Sequence, residues 1–433
     1  MKSNYRMYNS RGSKPVFSIA LLLGLLLIFS AAPGQTRITS PYSIYGIGEL
    51  KFNQNFPNLG MGGLGIATRS NFSVNDVNPA SYSARDTLSF VFEATAFSHF
   101  YRQATENQSQ YGNYSSLGQL SLSFPITKWW GVGAGLKPFS SVGYKVRDFD
   151  VDPTIGNMNY VYEGEGGINQ AFLGTAITPF KGFSVGLNAS YLFGRFEHHT
   201  SVYSDSADIF LTNRIVSNQV SGWHLGVGAQ YELRPTETSS YTFGVIYGGQ
   251  NPISATRNEV IRRILPGTMS RYDTISIDQG LQGELIVPSY WGAGMFARFN
   301  NQWGAGFEFE QQNWEEYRLF DAADNLSNSY RIAFGVQHNP SVQTFSTIWD
   351  RLEYRAGFRY GQTYLMPGDS PLDEFGISFG IGIPLRRSLS ALNIGFEYSQ
   401  RGTTEQSLIK ENFYRFNLGV SIYEHWFVRR RFF

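Results

Sequence analysis

The sequence predicts an all-β chain: a transmembrane antiparallel β-barrel of about 14 strands, with an N-terminal hatch, or plug, in its lumen. Three observations predict it. Apolar and small polar residues alternate with period two in segment after segment, as in a strand with one apolar and one polar face. Aromatic residues make up 16% of the 433-residue chain, with 26 Tyr, 35 Phe, 46 Gly and no Cys. Past a short apolar run near the start, no stretch reaches the roughly 20 residues of a spanning helix.

The chain begins with Lys2, Arg6, Arg11 and Lys14, and then Val16 to Phe29 is almost wholly apolar. This is the pattern of a secretory signal peptide. Ala32-Pro33-Gly34 supplies small residues for cleavage, so residues 1–34 are expected to be removed and Gln35 to start the mature chain. The missing cysteine excludes a lipid-anchored N-terminus, disulfides, a thiol nucleophile and thiolate metal sites. A net charge of +1 gives no reason to expect nucleic acid or an acidic substrate.

Residues 35–86 do not alternate and form the expected hatch; residues 87–433 form the expected barrel. Phe183, Val185, Leu187, Ala189, Tyr191 and Phe193 share one face, with Ser184, Gly186, Asn188 and Ser190 on the other. Residues 119–124, 223–231, 375–383 and 414–422 repeat the pattern. An apolar face rich in Tyr, Trp and Phe near strand ends suits lipid and its interfaces, and a face of Gly, Ser, Asn and charges suits a lumen. A soluble sandwich also alternates but would not need so many outward aromatics. The segments fall near 87–102, 114–125, 128–147, 159–178, 182–200, 214–233, 239–254, 282–299, 302–317, 328–338, 351–364, 373–385, 390–401 and 411–427. Short turns at Thr127, Phe180-Lys181, Pro235-Thr236 and Asn300-Asn301 are assigned to the periplasm. Long loops near 103–113, 201–213, 255–281 and 318–327 are expected to face outward. Phe433 ends the chain as in barrels inserted by the outer-membrane machinery, and Arg429–Arg431 reads as a periplasmic overhang.

Gly60-Met-Gly62-Gly-Leu-Gly65 matches a dinucleotide fingerprint by letter, but Asn53–Pro57 before it and Ser70–Ser73 after it provide no strand–helix frame. The same stretch through Ala67, followed by Asn78-Pro79-Ala80 before the first strand, resembles the hatch of FadL-type outer-membrane transporters. Pro288–Trp291, leading into a strand pair that ends near Trp314, adds to the likeness. The resemblance implies a 14-stranded plugged barrel that takes up hydrophobic molecules such as fatty acids or aromatic hydrocarbons. It also implies a lateral opening at a kinked third strand, which here holds Lys137-Pro138 and Gly143. Proline removes a ladder hydrogen bond, so Pro138 and Gly143 are the candidate opening. Pro138 could equally begin an outer loop.

Glu308, Glu310, Arg331, Arg355, Arg359, Glu397, Arg401 and Arg415 alternate with the aromatics on the late strands. Facing lipid, such a charge would cost up to about 2–4 kcal/mol, so these residues are placed in the lumen as a network holding the hatch or lining a polar path. His199 and Ser201 share a face but lack a third group to orient the histidine, so no catalytic site is assigned. His198-His199 is the sole histidine cluster, and no metal or cofactor is assigned.

Two functions follow. One is uptake of a hydrophobic small molecule through a plugged barrel in the outer membrane. The other is a non-transporting partner subunit of an outer-membrane protein export or assembly machinery, as in the PorV-type component of type IX secretion, which shares the hatch signature. The expected contacts are outer-membrane lipid, a hydrophobic ligand or envelope proteins.

Overall fold

The computed structural model describes residues 40–51, 55–152, 156–204, 211–264, 272–340, 349–368, 370–385, 389–405 and 408–425. The expected signal segment, Gln35, Arg429–Arg431 and Phe433 lie outside them.

Fourteen antiparallel strands close into a barrel. They are β1 (Ser89–Ala104), β2 (Ser109–Pro125), β3 (Trp130–Asp152), β4 (Gly156–Phe180), β5 (Phe183–Ser204) and β6 (Leu211–Leu233), then β7 in two pieces (Ser240–Gly248 and Asn251–Ile264) and β8 in two pieces (Tyr272–Val287 and Tyr290–Phe299). There follow β9 (Trp303–Gln312), β10 (Ser329–His338), β11 (Glu353–Gln362), β12 (Asp373–Pro384), β13 (Ala391–Arg401) and β14 (Lys410–His425). Closure is between last and first: β14 pairs β1 from Lys410↔Ala104 to His425↔Ser89. No sheet edge is left at that seam, which is what lipid demands of a spanning sheet.

The wall is not of even height. The outward side chains of β5 run Leu187, Tyr191, Phe193 and then Arg195, Glu197, His199. On β4 the change falls between Leu173 and Asn169, and on β6 between Trp223 and Gln219. Phe183 to Phe193 is about the 9–11 residues a tilted strand needs to cross the bilayer. The upper parts of β3 to β8 therefore stand clear of the hydrocarbon. In that upper sheet the apolar side faces inward instead: Val142, Tyr144, Ile168, Leu192, Phe196, Val220, Ile253 and Leu285 are buried.

A line of irregularities marks the change. β3 bulges between Pro138 and Ser140. Gly166 and Gly167 on β4 have φ of +106° and +152°, where a side chain is strained. β7 breaks after Gly248, and β8 breaks at Pro288-Ser289. Proline cannot donate to the ladder, so a break there costs the sheet little.

Several expected loops are therefore corrected. Asn251–Ile264 and Tyr272–Val287 are strand where 255–281 was expected to be loop, and strand also covers 109–113, 201–204 and 211–213. The expectation failed because the alternation reverses its apolar side where the strands leave the lipid. The connection 313–328 remains mostly irregular, with a short strand at Arg318–Leu319.

Candidate functional site

The described hatch residues, 40–51 and 55–86, hold three helical turns (Pro41–Ile44, Phe56–Gly60, Pro79–Ala84) and a two-residue strand, Glu49–Leu50. Each turn has proline in its first turn, where no N–H is missed, and an N-cap from Ser40, Asn55 or Asn78. The Asn-Pro-Ala element is a cap: Asn78 Oδ1 accepts from Ala80 N (3.1 Å), and its Nδ2 donates to the Ile66 carbonyl (2.8 Å).

The glycine stretch lies against the wall. A Cβ on Gly62 (φ +70°) would sit 2.8 Å from the Phe358 carbonyl oxygen and 3.1 Å from that of Phe334. A Cβ on Gly60 would press on Arg355, and one on Gly65 would meet Val77 at 2.7 Å. Gly62 permits backbone-to-backbone approach to the wall, Gly60 and Gly65 make room for the Arg355 and Val77 side chains, and among the described residues no strand–helix frame for a nucleotide surrounds them.

Wall side chains hold the hatch backbone directly. Glu308, 1% exposed, accepts from the N–H groups of Gly65 (2.8 Å) and Ile66 (2.9 Å). Glu93 accepts from Val74 N at 2.8 Å and Ser378 Oγ from Gly62 N at 2.8 Å. Gln230 donates to the carbonyls of Ile66 and Thr68. The Asp76 carboxylate pairs with Lys137 and accepts from Gln119 Nε2. Arg85, buried at the hatch end, bonds Ser123 Oγ, and its burial lowers its pKa to about 10.

The late-strand charges lie inside the wall and are paired. Arg331 bridges Glu308 (2.8 Å) and Glu310 (2.7 Å). Arg359 bridges Glu397 (2.8 Å) and Glu374 (2.7 Å). Arg401 binds Glu411 at 2.7 Å and Glu49 of the hatch at 3.4 Å. Arg355 pairs with Glu353, and Arg415 donates to His99 Nε2. Sequence reasoning missed Glu49, Asp76, Glu93, Glu374 and Glu411. Their signal was there in part: Glu411 sits on the same strand and face as Arg415, which the alternation places in the lumen.

Above the hatch lies a chamber of about 360 Å³. Asp76, Lys137, Glu310, Arg331, Glu374 and Arg401 line it, together with Leu192, Ile246, Val287 and Trp314. His224 also faces it, and its Nε2 has no hydrogen-bond partner among the described residues. The mouth above is filled. Trp314, Tyr317 and Leu326 of one loop and Tyr364, Leu365 and Leu372 of another pack with Tyr42 and Ile47 against the upper wall. Trp314 stacks on Tyr364 with centroids 4.0 Å apart. Burial raises the Tyr42 phenol to about 12, so it remains a donor, to the Ile409 carbonyl.

β2 and β3 part company above Leu120↔Leu136, their last pair on that side. The hatch enters the gap: Glu49 and Leu50 pair with Ser141 and Ser140 of β3. A second cavity, about 260 Å³, lies there between Tyr114, Ser116, Pro138 and Ser140. Lys51 and Pro138 line both cavities. Pro138 still pairs with Asn169, so it does not begin a loop. Gly143 is buried rather than open: its N–H donates to Ser43 Oγ and its carbonyl accepts from Ser40 N.

His198 and His199 lie on opposite faces of β5. His198 bonds the Tyr144 hydroxyl (2.7 Å), and His199 meets Glu197 (3.2 Å). Ser201 Oγ accepts from Asn213. Glu165, Glu197 and His199 do come together on the outer face of the upper sheet, with ligand atoms within 4.8 Å of one another, but Arg195 already pairs with Glu197.

The fold is that of solved hydrocarbon channels. The CymD monoaromatic hydrocarbon channel superposes with a TM-score of 0.56 at 14% identity, covering 86% of this chain and 98% of that one. The toluene transporter TbuX of Ralstonia pickettii gives 0.57 at 12% identity (86% and 98%), and a FadL homologue of Pseudomonas aeruginosa 0.54 at 13% (87% and 99%). At such identities the likeness establishes the fold alone. No curated protein matches the sequence. The FadL resemblance thus holds for architecture, while a family model matches residues 17–433, almost the entire chain: this protein belongs to the BamG family.

Proposed function

We propose that this barrel is a non-transporting partner subunit of a protein export or assembly machinery in the outer membrane. Membership of the BamG family fits this reading. The observation that carries it is that packed residues occupy the lumen at two levels. Buried, charge-assisted hydrogen bonds hold the hatch to the wall, and an apolar cluster fills the mouth. Between them the chamber sets paired charges, Arg331 with Glu310 and Arg359 with Glu374, among apolar side chains such as Leu192, Val287 and Trp314. The outward apolar belt with its Trp, Tyr and Phe supports an outer-membrane location. The test is native purification in mild detergent, with lipid mass spectrometry on the same sample. Recovery in fixed ratio with another envelope protein supports the reading; recovery alone, loaded with a lipid-like ligand, overturns it.

A second reading, hydrophobic uptake with lateral release, is favoured by one observation: the β2–β3 gap and its cavity at Pro138. Under that reading Pro138→Ala reduces accumulation of a labelled fatty acid or of toluene by whole cells.

A further inference from the structure

The hatch is not the whole length of what the β3 edge can accept. Glu49 and Leu50 add to that edge as a short antiparallel strand opposite Ser141 and Ser140. Lys51 N reaches the Phe139 carbonyl and Ser40 N the Gly143 carbonyl. The hatch strand stops at Gly48, whose φ is +87°. From Tyr144 to Asp152 β3 pairs with β4 on one side, and among the described residues no strand pairs with its other side.

This stretch lies above the lipid-facing part of the wall. Its outward side chains are Lys145, Arg147, Phe149 and Val151. Lys145 pairs with Glu163 across the strand. Arg147 stands opposite Val161 and has no ion pair among the described residues. Phe149 is 72% and Val151 69% exposed, and their cross-strand neighbours Asn159 and Asn157 offer no apolar cover. An unpaired edge is a ready template for another chain, normally blunted by bulges, proline or inward charges. Here the last irregularity lies below, at Phe139, and the edge above it runs regular.

The geometry points to a docking site for an extended polypeptide segment of a partner protein, added as an antiparallel strand along Tyr144–Asp152. Main-chain hydrogen bonds would supply the affinity and alternate side chains the specificity. The chemistry of the edge fixes the segment: a carboxylate opposite Arg147, and apolar side chains beside Phe149 and Val151 on the same face. This rests on the partner-subunit reading and names the contact it uses.

The test uses the full chain in nanodiscs and a fluorescent nine-residue peptide of alternating Thr and Val, with Glu placed to face Arg147. Anisotropy should report binding, lost when alternate peptide nitrogens are methylated on the edge-facing side. Arg147→Glu should weaken binding at least tenfold, and a peptide with Lys in place of Glu should restore it. Absence of binding, or binding indifferent to methylation and to charge reversal, overturns the proposal. So does a particle mass showing that two copies of this chain pair along the edge. Native purification of Arg147→Glu/Phe149→Asn separates the two ideas. A complex recovered unchanged from that variant sinks the edge and leaves the subunit reading standing. Wild-type barrel recovered alone sinks the subunit reading.

Discussion

Replacing Glu308 by alanine should release the hatch while leaving the barrel closed. Glu308 accepts three hydrogen bonds: from Gly65 N, from Ile66 N and from Arg331. Each bond to a charged group is worth about 1.5–3 kcal/mol, and removing one partner of a buried pair costs about 3–5 kcal/mol. Arg331 keeps Glu310 at 2.7 Å and the Gly63 carbonyl at 3.3 Å, so its charge is not stranded. The lower bound of about 3 kcal/mol then applies to hatch docking, roughly a hundredfold in the opening equilibrium. Hydrogen exchange in nanodiscs reads this directly. The amides of Gly65 and Ile66 should exchange about 100 times faster, and those of β9 to β12 should not change. Glu308→Gln should fall between. Turning its carbonyl to the two N–H groups presents an NH₂ to Arg331, donor against donor. Unchanged exchange at 65–66 refutes the reasoning. Loss of the barrel's resistance to SDS in step with the hatch also refutes it, because hatch and wall would then be one cooperative unit.

Gly62→Ala should also unseat the hatch, because its φ is positive and the Phe358 and Phe334 carbonyls leave no room; protease nicking within 55–78 should rise while the barrel stays intact. Asn78→Ala removes a helix cap and the bond to the Ile66 carbonyl, at about 1–2 kcal/mol. Combined with Glu308→Ala its effect on Ile66 exchange should be less than additive, since both hold the same residue. Acid should loosen the hatch strand. Burial alone would raise the Glu49 pKa, but Lys51 and Arg401 outweigh it and hold it at about 2, against 4.5 ordinarily. Its contribution is therefore complete above about 4.5 and is lost as pH falls towards 2. A spin label on Leu50→Cys should gain mobility through that window, and in Glu49→Gln its mobility should lose this pH dependence.

The barrel was legible because lipid enforces a rule. Wherever β4 to β6 cross it, Leu173, Leu187, Tyr191, Phe193, Trp223 and Leu225 must face out, and alternation names the strand. Above Phe193 that rule lapses. Leu192 and Phe196 turn inward with Arg195 and Glu197 outside, so a pattern sought on one face disappears and strand was mistaken for loop. The hatch motif was legible in the letters Gly60–Gly65 and Asn78-Pro79-Ala80, which work through tight approach and capping. Its partners were not. Glu308 meets Gly65 across 243 positions of sequence, and no local spacing encodes that contact. Glu49 escaped notice because its partner Arg401 lies on the penultimate strand, brought near only by closure.

The tall side of the wall also bears on how the protein enters the membrane. Arg195, Glu197, Lys145 and Glu163 stand beyond the lipid-facing belt on the tall side of the wall, and a strand inserted from the opposite side of the membrane carries them across the hydrocarbon. A lone strand carrying them would expose charges and unsatisfied peptide groups to lipid. Pairing first removes part of that barrier: Lys145 neutralises Glu163 on its neighbour, and Arg195 neutralises Glu197 on the same strand. β3 to β5 are thus suited to cross as a preformed sheet.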